Sequence, residues 1–163
     1  MMLDNDAIVR DLDRQGFCIV EGLLPREQCA ALKRKLDDIA DRMEARGVAR
    51  HMEILDPNAG SVRVSDIAGH DRAFLDMLSD GAVLAAVEAA LGGDIIASNF
   101  SAHVSLPGSR PMKVHSDMAL VMPGPWLARW SLNFIWCLDD MDEENGATRY
   151  LPGSHRITTM EDL

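Results

Sequence analysis

Basic residues are scarce in this 163-residue chain: Lys and Arg number 16 against 26 Asp and Glu, so the formal charge is −10. Such a surface repels a phosphate backbone or an anionic bilayer, which argues against nucleic acid or a membrane as partner. Long apolar runs are also missing. The run from Ala82 to Leu91 is interrupted by Glu88 and falls far short of the roughly 20 residues that a bilayer-crossing helix needs. Cysteine is sparse and odd in number, with Cys18, Cys29 and Cys137 far apart, which fits reduced thiols better than a disulfide frame or a thiolate zinc site. The start, Met1-Met2-Leu3-Asp4, has no basic, apolar or cleavage region of a secretory leader. The expectation is a cytoplasmic protein. Internal repeats and low-complexity linkers are absent as well.

What is present suits one folded domain: 47% hydrophobic against 26% charged residues. A compact fold of 17.9 kDa exposes roughly 8,000 Å² of the roughly 26,000 Å² of its extended chain, so about two-thirds can be buried. Asp4 or Asn5 caps a helix running to Gln15, and Gly16 to Val20 reads as a short buried strand. After Pro25, the apolar positions Cys29, Ala30, Leu32, Leu36, Ile39, Ala40 and Met43 recur at helical spacing, giving one amphipathic helix over about Arg26 to Arg46. Residues 51 to 69 form a loop with a strand near Val62 to Val64, before helices over Asp71 to Leu78 and Ala82 to Leu91. From Asp94 the character changes to short strand-like runs at Ile95-Ile96, Val104 to Leu106, Leu120 to Met122, Trp130 to Leu138 and Thr148 to Leu151. Helices first and strands second predicts an α+β domain, with residues 1–93 a helical buttress and 94–163 the sheet.

His115-Ser116-Asp117 is the first candidate for chemistry, because side chains at i and i+2 of a strand share a face and can offer one nitrogen and one oxygen to a metal. The triplet alone is weak: this composition yields roughly one such triplet in every two random chains. His51-Met52-Glu53 offers a similar pair and reads as a polar helix-to-loop boundary. The stretch after Asp117 is more specific. An apolar strand leads to Leu138-Asp139-Asp140, acidic residues with Asn145-Gly146, another strand, and Pro152-Gly153-Ser154-His155.

This ordered set, over about Asn99 to Arg156, resembles the phytanoyl-CoA dioxygenase family of non-haem iron, 2-oxoglutarate-dependent oxygenases. The resemblance implies a double-stranded β-helix, or cupin-like jelly roll, behind N-terminal helices. It implies Fe(II) as cofactor, 2-oxoglutarate as co-substrate, and His115 and Asp117 as two of three protein ligands. Oxidation of a small organic substrate would then accompany release of succinate and CO₂. In the family a second His and an Arg that pairs with 2-oxoglutarate lie several tens of residues beyond the Pro-Gly-Ser-His turn. Neither occurs before Leu163, so the barrel is expected to be incomplete here. A second copy or a complementing chain is expected to cover its open edges.

Several positions keep two readings. Trp136 stands either beside 2-oxoglutarate or in the core. Asn99 and Ser101 either touch the co-substrate or hydrogen-bond at a strand edge. His103 lines the pocket or packs on its strand. His155 is either a replacement ligand or part of a turn, and as a ligand with His115 and Asp117 it would allow a zinc hydrolase. Asn145-Gly146 is read as a tight turn with positive φ, and the acidic cluster around Asp139-Asp140 as solvated. Met112, Met118, Met122, Trp126 and Trp130 line a substrate mouth or fill the core. Against the oxygenase stands a catalytically silent scaffold that keeps the fold and not the iron site.

Overall fold

In the computed structural model the described residues are 2–53, 56, 58–118, 123–159 and 161. Helix α1, Asn5–Gln15, begins where the Asp4 carboxylate accepts from the Ala7 amide and ends at Gly16, whose left-handed φ of 88° returns its amide to the Leu12 carbonyl. Helix α2, Arg26–Ala45, starts after Pro25 and buries Leu32, Leu36, Ile39 and Met43 along one stripe. Strand β1, Ser61–Val64, leads to the short helix α3, Ile67–His70. Helices α4, Arg72–Leu78, and α5, Gly81–Leu91, come next, capped by the Asp71 and Asp80 carboxylates. Strand β2, Ala102–Ser105, pairs antiparallel with β1, placing Val62 opposite Val104 and Arg63 opposite His103.

One core cluster joins the α2 stripe to Val64, Ile67, Phe74 and Met77, with Phe100, Ala102, Trp136 and Leu138 packed against it. Phe74 and Phe100 meet edge to face at 6.5 Å. Helix α1 packs on α5. No helix among the described residues is long and apolar enough to cross a membrane.

The helices therefore stand where their periodicity puts them, with α3 an addition. The strands differ. Gly16 to Val20 is no strand: Ile19 is 77% exposed and Phe17 stacks on Tyr150 at 4.3 Å instead. Among the described residues β1 and β2 are the only paired strands. Ile95-Ile96, Trp130 to Leu138 and Thr148 to Leu151 carry no ladder, and Leu120 to Met122 lies outside the described residues. Even so, Leu132, Phe134, Trp136 and Leu138 turn inward while Ser131, Asn133, Ile135 and Cys137 turn to solvent. That is the alternation of a strand without a partner. The accessible surface, 11747 Å², is nearly half as large again as the roughly 8,000 Å² of a compact protein of this mass.

Two sets of polar contacts attach this second region to the helices. Asp139 meets Lys33 at 2.6 Å and Asp140 meets Arg26 at 3.2 Å, so the acidic pair is tethered to α2 rather than merely solvated. At the far end, His155 donates to the Asp13 carbonyl at 3.2 Å, Arg156 reaches the Asp13 and Arg14 carbonyls, and Arg129 bridges the Asp13 carboxylate and the Ala90 carbonyl. Two side chains, His155 and Arg156, thus cover the carbonyl end of α1, where its dipole is negative, while Arg129 holds the Asp13 side chain. The turn at Asn145-Gly146 has the expected form, with Gly146 at φ 93° and the Asp142 carboxylate accepting from the Glu144 and Asn145 amides.

Candidate metal centre

The His-x-Asp segment is irregular through Ser116 and turns helical at Asp117 and Met118, rather than running as a strand. The two side chains nevertheless converge. His115 Nδ1 lies 2.7 Å from the Lys113 carbonyl, which can only accept, so Nδ1 carries a proton and in the neutral ring Nε2 presents its lone pair. That Nε2 faces Asp117 Oδ1 at 3.4 Å. A proton on Nε2 makes this contact an ion pair; in the proton's place, a single metal ion with bonds of about 2 Å would touch both donors. An outer carbonyl that fixes the ring tautomer is the usual support of a metal-ligating His. The other oxygen, Oδ2, accepts from the Asn133 amide. His115 and Asp117 therefore fit two positions of an iron site. Both are open to solvent, at 41% and 55% exposure.

Beside them runs a polar stripe on β2 and the residues before it. Asn99 Nδ2 reaches Ser101 Oγ at 3.5 Å, and Ser101 Oγ reaches His103 Nε2 at 3.4 Å. Arg63, across the ladder, donates to the same Nε2 at 3.0 Å, which assigns the His103 proton to Nδ1. Arg63 in turn grips the buried Asp56 through Nε and Nη2 at 2.7 to 2.9 Å and rests Nη2 on the Met112 sulfur at 3.5 Å. Crowding by protein and the Arg63 guanidinium hold the His103 pKa below its usual value, against the smaller pull of the Asp56 and Asp117 carboxylates. The Arg63 hydrogen bonds hold the Asp56 carboxyl below the usual carboxylate range despite its burial. Arg63 is thus a hub that ties β1, His103 and the approach to His115 together.

Of the residues weighed from the sequence, Asn99, Ser101 and His103 share one stripe, at whose end His103 feels the Asp117 carboxylate. Trp136 turns inward against the core, its ring 4.9 Å from Phe134, which favours packing of its two readings. His155 is engaged with α1, its ring so close to Gly16 that a Cβ there would lie 2.5 Å from Nδ1. It takes the turn reading, and a zinc site built on it loses its third ligand. Among the described residues no group of three His, Cys, Asp or Glu side chains is placed to hold a metal. Sequence reasoning missed Arg63, Asp56 and Asn133. A lone Arg between Val62 and Val64 was the available signal for the first; the other two announce themselves only through contacts.

A family model described as phytanoyl-CoA dioxygenase (PhyH) matches residues 12–162. Among curated proteins, dioxygenase af480 of Aspergillus fumigatus is 37% identical over 163 residues, covering 100% of this chain and 53% of the relative. Dioxygenase FUM3 of Gibberella moniliformis is 27% identical over 165 residues, covering 93% and 55%. Dioxygenase hkm4 of Aspergillus hancockii is 25% identical over 172 residues, covering 98% and 56%. The chain spans about half the length of these curated relatives. No solved structure matches it. The His-x-Asp pair, the turn at Asn145-Gly146 and the docked His155 thus sit within a match that covers nearly every residue, and the chain belongs to the phytanoyl-CoA dioxygenase family.

Proposed function

We propose that His115 and Asp117 are two of the three protein ligands of an Fe(II) centre in a 2-oxoglutarate-dependent dioxygenase that oxidises a small organic substrate. The observation that carries this reading is the facing of His115 Nε2 and Asp117 Oδ1 at 3.4 Å, with the Lys113 carbonyl setting the tautomer. When bound, iron with 2-oxoglutarate supplies activation of O₂, yielding succinate and CO₂ and oxidising the substrate. The chain's own part is to present the two donors, to hold the His103 stripe beside them, and to anchor the approach through Arg63 and Met112. The third ligand and a cation for the distal carboxylate of 2-oxoglutarate come from outside these residues, completing a double-stranded β-helix against the unpaired 131–138 segment. The relatives' names as dioxygenases and the large accessible surface support that reading.

The test is Fe(II)- and 2-oxoglutarate-dependent succinate formation by the protein expressed from its complete reading frame. His115→Ala and Asp117→Ala are each expected to lower it at least 100-fold, and succinate release undiminished by either substitution overturns the assignment. A second reading, a binding or scaffold protein that keeps the fold without the reaction, is favoured by the lack of a third ligand among the described residues. A native product that ends at Leu163 and forms no succinate would select it.

A further inference from the structure

We infer that Asn133 is a positioning residue of the metal centre, holding one oxygen of Asp117 so that the other faces His115. The inference rests on the reading of His115 and Asp117 as ligands. An aspartate's terminal torsion is broad and nearly twofold, and Asp117 is 55% exposed, so nothing in its own backbone selects which oxygen meets the metal. Asn133 Nδ2 donates to Oδ2, leaving the lone pairs of Oδ1 turned to His115 Nε2. The amide nitrogen is a donor only, and it cannot compete for the ion.

What aims Asn133 is the alternation of its segment. Phe134, Trp136 and Leu138 turn inward, the last two against the α2 core, which forces Ser131 and Asn133 to the opposite side. Asp139 and Asp140 pin the end of that segment to Lys33 and Arg26 of α2. A second contact runs in the same direction, with Ser131 Oγ donating to Met118 Sδ at 3.1 Å. The helical core therefore reaches Asp117 through the 131–138 segment.

The test uses the isotopically labelled protein expressed from its complete reading frame, which carries the third ligand, with Mn(II) as the probe ion and NMR as the readout. Without metal, Asp117→Ala is expected to shift the Asn133 side-chain amide signals and speed their solvent exchange. With Mn(II), broadening of the His115 ring signals should saturate in the parent chain. In Asn133→Ala and in the nearly isosteric Asn133→Leu the half-saturating concentration should rise about tenfold, with the helical circular dichroism unchanged. Amide signals indifferent to Asp117→Ala, or a Mn(II) midpoint equal to the parent's in both Asn133 variants, overturns the positioning role and leaves the ligands standing. A parent chain whose His115 signals do not respond to Mn(II) overturns the metal reading and this role with it.

Discussion

Every buried apolar side chain among the described residues lies between Leu12 and Ala90, whereas the region after Ser105 contributes only partly buried groups. The first region is held by apolar packing; the second leans on it through one face of a segment with no ladder among the described residues, three ion pairs and the cover on α1. Yet the second carries His115, Asp117 and Asn133. Rigidity and chemistry are thus divided. The precision of the candidate centre is borrowed from α2 and from Arg63, not generated locally.

The division can be broken by removing core from one side and not the other. Phe74→Ala, at a site 1% exposed, should cost about 3–5 kcal/mol, while Ile135→Ala, at 58% exposure, should stay within about 0.5 kcal/mol. Urea denaturation curves read both, and equal losses would erase the distinction. Asp56→Ala comes next, at about 3 kcal/mol, because it strands Arg63, whose side chain is 13% exposed, as an uncompensated charge. The same measurement against pH has a defined sign. Asp56 and His103 both have folded pKa values below their unfolded ones, so both bind protons more tightly when unfolded. Stability should fall as pH drops below about 6.5 for His103 and again below about 3.9 for Asp56. A rise in stability on acidification through that first window would contradict the placement of His103 beside Arg63. Gly16→Ala should cost less than Phe74→Ala or Asp56→Ala, on the order of 1 kcal/mol, since φ is 88° and His155 fills the space a Cβ needs. Differential scanning calorimetry would show it, and an unchanged melting temperature would mean that His155 is not seated there.

The same contrast explains what could be read in the sequence. Helices α1, α2, α4 and α5 are set by local signals, namely the carboxylates of Asp4, Asp71 and Asp80, the proline before α2, and apolar residues at three- and four-residue spacing. Strands need a partner that no local pattern specifies. The strand-like run over Trp130 to Leu138 was legible and shows a strand's alternation of burial, but its ladder is not found among the described residues, and Gly16 to Val20 has the composition of a strand without a partner among them. His115 and Asp117 were legible through motif order. Asn133 was not, because its role depends on which residue meets Asp117 from 16 positions away, and Asp56 was not, because its value lies in an Arg seven residues away.

The cover on the end of α1 has a consequence for how the protein is made. His155 and the Asp13 carbonyl it holds are separated by 142 positions, so α1 leaves the ribosome long before it can be finished. At about 5–20 residues per second, its final turn waits on the order of ten seconds for His155 and Arg156 to arrive, although α5 offers its apolar face much sooner. In that interval the carbonyls of Asp13 and Arg14 are left to water. Completion of the Pro152-Gly153-Ser154-His155 turn then marks the moment at which the newborn chain closes over the end of α1.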